Sequence, residues 1–332
     1  PSIKPTLATM TRKYGANQAM AIREEGYKSL DWIDNFINRE KIDCHFKKCG
    51  RFQAAHTPAH FDALVRETQK LGEEEGVEFK IVPRDDQRKE LGTDSYFGGV
   101  MLTNHASLDP AKYYVGLLKK ANLAGAEVTG NCPAQDIRKD GGTFIIKPPK
   151  GEIKAKNIII APNGYTTNLV PWVQRRVIPI GTYMIATEPL PKALMDNLFP
   201  NDRVVSDTCK VIYYYRPSPD RSRVLFGGRV SADETNPAIS GPILKRDMCR
   251  IFPELRNYNY THSWTGTVAF TFDTLPHIGC HNGIYYAMGY CGSGIGLSSY
   301  LGARLGQQLV GDPEGATAFD SLRFRTRPLY YG

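Results

Sequence analysis

Between Tyr285 and Gly306 the sequence reads YYAMGYCGSGIGLSSYLGARLG: an apolar run, a glycine cluster and a helical pattern. Four glycines fall within eight positions, at 289, 292, 294 and 296. Residues without a Cβ let a backbone adopt positive φ and close on a ligand, and the N–H groups that open a helix attract anionic groups. The spacing is not the dinucleotide fingerprint G-x-G-x-x-G. Counted from Gly292 the third glycine would be Leu297, and counted from Gly294 it would be Ser299. Tight packing of the following helix on a sheet accounts for the same glycines equally well.

Other residues capable of chemistry are sparse. Asp273 and His277 flank the turn DTLPH and read as cofactor-side or structural, and no catalytic constellation accompanies them. The seven cysteines form no CxxC pair. Cys44, His45 and Cys49 approach metal-ligand spacing without a second half, so no metal site is expected. Reduced thiols point to a reducing, cytoplasmic setting. The net charge of +8 comes from scattered pairs such as Lys47-Lys48, which suits a solvated surface better than a nucleic-acid interface. No apolar run reaches the length of a membrane span.

The elements that must position these residues can be read from periodicity and punctuation. Residues 16–38 carry a helical stripe of Leu30, Ile33 and Ile37. A helix starts from Thr57-Pro58, and another from Asp109-Pro110 with its exit at Gly125. CHFKKCGRFQAA alternates like a strand, AEVTG reads as a strand, and Cys132 to Ala155 as short antiparallel strands. KNIIIAPNGY is apolar without alternation, which predicts a strand buried on both faces, with the Pro162-Asn163-Gly164 turn at its carboxyl end. Residues 171–262 are β-rich with Pro and Gly turns and read as an inserted antiparallel sheet.

Taken in order, WTGTVAFTFDTLPHIG, the apolar strand, GYCGSGIG and the final helix resemble the C-terminal region of the D-amino-acid oxidase family of FAD-dependent oxidoreductases. NIIIAPNGYTTNLV resembles the strand that ends beside the flavin, and YYYRPSPDRSRVLFGGR the substrate-domain hairpin. That family includes glycine oxidase, sarcosine oxidase and γ-glutamylputrescine oxidase; the resemblance covers essentially the whole chain and is nearest to the amine-oxidising, γ-glutamylputrescine-type branch.

It implies an α/β fold: a glutathione-reductase-like FAD-binding domain, interrupted and N-terminally incomplete, with a β-rich mixed-sheet substrate domain. The implied boundaries are 1–44, 107–170 and 263–332 for the FAD domain, and 45–106 and 171–262 for the substrate domain. Family members open with a strand, G-x-G-x-x-G and a helix for the FAD diphosphate, and PSIKPTLATMTRKYG resembles the segment after that unit. The expectation is that a partner polypeptide supplies the unit, that the sequence is a fragment, or that flavin binding has been lost.

By the same resemblance, Pro162, Gly164, Asp273, Gly289, Tyr290, Gly292, Ser293, Gly294 and Ile295 would line non-covalent FAD. Tyr183, Tyr213, Tyr215, Arg229 and Trp264 would meet a small amine or amino-acid-like substrate, although core packing also explains the tyrosines. At the two positions where relatives grip an α-carboxylate this chain has Val268 and Gly296. A substrate whose carboxylate is absent or distant from the oxidised amine is therefore expected.

Overall fold

Capping chemistry fixes where the helices begin. The computed structural model describes residues 3–228 and 236–330. Helix α1 spans Leu7–Tyr14 and α2 spans Ala16–Glu40, which buries Ala19, Ile22, Leu30, Ile33 and Ile37 along one face. Helix α3 (Pro58–Glu75) starts where the Thr57 hydroxyl accepts the His60 N–H at 3.1 Å. At α4 (Pro110–Leu123) the Asp109 carboxylate accepts the N–H groups of Ala111 at 3.0 Å and Lys112 at 3.1 Å. Gly125, with φ of 87°, follows at the exit. Helices α5 (Pro171–Gln174), α6 (Lys192–Leu198), α7 (Pro237–Ile251) and α8 (Gly294–Leu309) complete the described set.

The strands are β1 (Arg51–Ala54), β2 (Phe79–Val82), β3 (Gly99–Leu102), β4 (Asp136–Asp140), β5 (Thr143–Lys147), β6 (Ile153–Ala155) and β7 (Ile158–Ile160). They continue with β8 (Ile178–Thr187), β9 (Val204–Asp207), β10 (Tyr214–Pro217), β11 (Val224–Gly228), β12 (Tyr260–Phe270), β13 (His277–His281) and β14 (Ile284–Met288). One sheet has eight strands in the order β12-β8-β11-β10-β9-β1-β3-β2, and two smaller sheets run β13-β14-β7 and β4-β5-β6. The large sheet is mixed, because β1 pairs parallel with β9 and antiparallel with β3.

The chain divides into two units: Pro1–Ile42, Tyr114–Ile180 and Thr267–Gly332 form the first, and Asp43–Tyr113 and Gly181–Gly266 the second. In the first, Met10, Ile22, Ile278, Leu297, Tyr300 and Leu301 share a core. Within it the Tyr300 hydroxyl donates to the buried Glu25 carboxylate at 2.6 Å. In the second, Phe52, Ile185, Val205, Tyr215 and Phe226 line one face of the large sheet and pack with Leu244 and Met248 of α7.

Four readings change. In CHFKKCGRFQAA only Arg51–Ala54 is a strand, and residues 126–130 (AEVTG) form none. Among the described residues strand β7 is not sandwiched: it ends its sheet, pairs parallel with β14 only, and leaves Ile159 48% exposed. The third crossing between units along the chain follows Ile180 rather than 170, because α5 belongs to the first unit. There the Trp172 ring meets Phe324 edge-on at 5.7 Å and Val173 is buried in the same cluster.

Candidate functional site

In the first unit three turns converge on the glycine cluster. The first follows β7, where Pro162 leads into a short 3-10 turn at Asn163–Tyr165. A Cβ on Gly164 would lie 2.4 Å from the Thr267 carbonyl oxygen, so this close backbone approach requires glycine. The Tyr165 hydroxyl accepts the Thr267 N–H at 3.1 Å, and the Asn163 side-chain oxygen accepts the Gly289 N–H at 3.2 Å. The end of β7 is thereby tied to the start of the glycine loop.

The second turn, Thr271 to Leu275, joins β12 to β13 and is built on a buried carboxylate. Asp273 accepts from the Thr271 hydroxyl at 3.1 Å, the Leu275 N–H at 3.3 Å and His277 Nε2 at 3.0 Å. The Tyr14 hydroxyl donates to its other oxygen at 3.3 Å, and the Lys13 ammonium stands 4.0 Å away. Burial works against the Asp273 charge, but the His277 hydrogen bond and charge, the Leu275 N–H and Lys13 outweigh it and lower its pKa. The same burial and carboxylate push the Tyr14 phenol up to about 12. His277 is 1% exposed, stacks on Phe324 at 4.3 Å, and has no hydrogen-bond partner for its buried Nδ1 among the described residues.

The third turn is the loop itself. Gly289 has φ of 80°, and a Cβ there would lie 2.3 Å from Thr271 Cγ2. The Cys291 N–H donates to the Ala269 carbonyl at 3.1 Å, and the Ser293 N–H to the Tyr290 carbonyl at 2.9 Å. Burial raises the Cys291 thiol pKa, which marks it as a packing residue. Tyr290 is buried and donates to the Ala287 carbonyl at 2.8 Å. Gly292 and Gly294 differ from Gly289. A Cβ on Gly294 would meet nothing within 4 Å, and one on Gly292 only the Lys4 ammonium at 3.9 Å. Ile295, next along, is 42% exposed.

Thus Pro162, Gly164, Asp273, Gly289, Tyr290, Gly292, Ser293, Gly294 and Ile295 all belong to the first unit, on three joined turns. Asn163, Thr271 and Tyr14 are additional members. Only Asn163 carried a signal, from its place between Pro162 and Gly164.

The expected substrate aromatics are not gathered in the same way. In the second unit Tyr183 and Tyr215 lie in the core, and the Tyr215 hydroxyl donates to the Tyr96 hydroxyl at 3.1 Å. Tyr213 is half-buried and donates to the Asp247 carboxylate at 2.9 Å. Trp264, on β12, is 42% exposed. Arg229 lies outside the described residues.

Comparison with known proteins agrees with this architecture. The chain is 28% identical over 327 residues to the "Probable oxidoreductase OrdL" of Haemophilus influenzae, covering 97% of this chain and 74% of that protein. It is 27% identical over 314 residues to the gamma-glutamylputrescine oxidoreductase of Escherichia coli, covering 94% and 73%. Among solved structures, glycine oxidase from Geobacillus kaustophilus superposes with a TM-score of 0.76 at 19% identity, over 99% of this chain and 85% of that one. The family model described as "FAD dependent oxidoreductase" (DAO) matches residues 7–308, and the chain belongs to that family.

Proposed function

We propose that this chain forms the larger part of an enzyme that oxidises the C–N bond of an amine or amino-acid-like substrate, with FAD as electron acceptor. The observation that carries this reading is the open space at Gly292 and Gly294. A Cβ on Gly164 or Gly289 would meet protein, whereas one on Gly292 or Gly294 would face open space. These two glycines, and the N–H groups that open α8, leave room and donors for an electron-rich group, so the residues present fit FAD.

The bound flavin would supply the hydride acceptor. The chain's own task is orientation. The loop backbone, fixed by Asn163 and by Cys291 on Ala269, would hold the cofactor against the sheet. Asp273 and His277 would keep the supporting turn rigid, and no proton transfer is assigned to them.

A substrate amine must be neutral to lose a hydride from the adjacent carbon, leaving an iminium that releases a proton to give the imine. With Val268 and Gly296 at two positions of the first unit, a simple α-amino acid finds no cation at either. Losing a charge-assisted hydrogen bond costs on the order of 2 kcal/mol, or roughly thirtyfold in affinity. Primary or secondary amines, γ-glutamylated polyamines included, are therefore expected to reduce the flavin faster than glycine, sarcosine or D-alanine.

We also infer that the FAD diphosphate is held by a polypeptide segment outside this sequence, which contains no G-x-G-x-x-G. The unpaired edge of β7, the half-exposed Ile159 beside it, and relatives of which the chain covers 74% and 73% support that inference. The absent fingerprint also favours a second reading, a non-catalytic remnant or partner subunit of such an enzyme that binds no flavin on its own.

Gly294→Val tests the central point in the flavin-complete protein. A side chain in the open space should abolish flavin retention while leaving the fold intact. A folded variant that stays fully yellow would overturn the reading. Anaerobic bleaching across the amine panel tests the substrate class, and a win for D-alanine or sarcosine would reverse it.

A further inference from the structure

From Leu322 to Tyr330 the first unit carries a segment with no helix or strand, in which Leu322 and Phe324 are buried and Arg323 and Arg325 are exposed. Without a ladder of backbone bonds, side-chain anchors must offset the entropy of ordering such a strap. Those anchors fall on two places. On the α5 side, the Phe324 carbonyl accepts the Arg176 Nε–H at 2.9 Å, the Thr326 hydroxyl donates to the Arg175 carbonyl, and the Tyr330 hydroxyl donates to the Val177 carbonyl at 2.8 Å. On the side of the second turn, the Tyr330 ring meets Phe272 edge-on at 5.1 Å, and the Phe324 ring lies flat on His277 at 4.3 Å and 11°.

A contiguous line of buried groups runs from that stack to the glycine loop. His277 Nε2 meets Asp273 at 3.0 Å, and Asp273 accepts the Thr271 hydroxyl at 3.1 Å. Thr271 is 2% exposed; its methyl fills the space a Gly289 Cβ would need, and its Oγ1 stands 3.8 Å from Cys291 Sγ. Every member belongs to the first unit.

The stack answers a weakness of histidine. Rotation about the bond that carries the ring is broad and poorly fixed by the backbone. The Nε2–Asp273 bond requires one ring plane, and on the other edge the buried Nδ1 has no partner among the described residues to hold it. An orphaned nitrogen favours any motion that brings it to water. Phe324 opposes both motions, since it lies parallel to the imidazole and is itself buried among Val173, Ala269, Tyr286 and Met288.

We propose that Phe324 is a positioning residue: the strap closes on His277, fixes the plane of the imidazole that holds Asp273, and through Thr271 sets the order of the glycine loop. The proposal rests on the FAD reading for what the loop receives, and on the geometry of the first unit alone for the clamp.

Amide hydrogen exchange on the chain without flavin tests the clamp, so a failed Gly294→Val experiment would leave it standing. Phe324→Leu keeps apolar bulk and loses the stack. The N–H groups of Leu275, Gly289 and Cys291 should then exchange about tenfold faster, while those of Ile22 and Leu30 on α2 keep their rates. Imidazole nitrogen shifts give a second reading: His277 should hold one tautomer, protonated at Nε2, in the unaltered chain and average between two in Phe324→Leu. Phe324→Tyr, which retains a stacking ring, should restore both signals. Tyr330→Ala loosens the strap from its half-buried end and should speed the same three amides by a smaller factor; if Phe324→Leu unfolds the unit, seen as faster exchange on α2 too, this variant decides. Unchanged exchange at the three amides in the folded variants, or a Phe324→Leu effect that Phe324→Tyr fails to reverse, would overturn the proposal.

Discussion

Each unit buries an aspartate, and the two solve the same problem in opposite ways. Asp273 in the first unit is 3% exposed and answered by charge, with His277 Nε2 at 3.0 Å and Lys13 at 4.0 Å, and its pKa falls. Asp207 in the second unit is also 3% exposed but answered only by neutral donors: the Tyr96 hydroxyl at 3.2 Å, the Tyr213 N–H at 3.1 Å and the Cys209 N–H at 3.2 Å. There burial wins and the pKa rises. Burial does not set a carboxylate's charge; its partners do. The one with the lowered pKa braces the turn under the glycine loop, and the one with the raised pKa anchors a chain of tyrosine hydroxyls in a core.

Asp273→Asn should break this contrast with the largest effect. It removes the charge that His277 faces in a buried site, at a cost of about 3 kcal/mol at neutral pH, read from the urea midpoint. The sign of the pH dependence follows. A lowered folded-state pKa contributes stability that is present above the ordinary aspartate value and lost as pH falls through the lowered one. The unaltered protein should lose stability in strong acid through this group, and the variant should lack that step. Equal acid sensitivity of the two proteins would refute the assignment.

A smaller change is expected from Tyr96→Phe. The Tyr215 hydroxyl loses its acceptor and Asp207 loses one donor, so a loss of about 1.5 kcal/mol should appear in the same measurement. Burial already raises the Tyr96 pKa well above the ordinary phenol value, so no titration of that group complicates the reading.

Asp207→Asn should have the smallest effect, under about 1 kcal/mol at neutral pH, since the amide oxygen still accepts the two backbone N–H groups. Its pH dependence runs opposite to that of Asp273→Asn. A raised folded-state pKa favours the fold below the ordinary value and is lost as pH rises through the raised one. Relative to the unaltered protein, the variant should therefore fare better at neutral pH than in mild acid. The reverse trend would mean that Asp207 is held ionised.

Much of the scaffold was legible because local chemistry decides it. Thr57 and Asp109 cap helices through bonds to their own neighbours, Pro110 fits a first helical position, and the alternation of Arg51 and Gln53 with Phe52 and Ala54 is local too. The glycine turn between an apolar strand and α8 was likewise readable, and so was its mismatch to the dinucleotide fingerprint. What sequence could not show is which surface each face meets. Three isoleucines announce a strand, but the exposure of Ile159 depends on which strands are present to cover it. Tyr183 and Tyr215 look alike as cage or core until the sheet assigns them a side.

The unpaired edge of β7 has a consequence for handling the molecule. A row of free N–H and C=O groups beside an exposed isoleucine is a template for another strand, and natural sheets usually guard such edges with charge or proline. The chain alone should therefore associate with itself as its concentration rises, and light scattering would register this. Ile159→Lys, a charge placed on the exposed face of that edge, should suppress the association without disturbing the core.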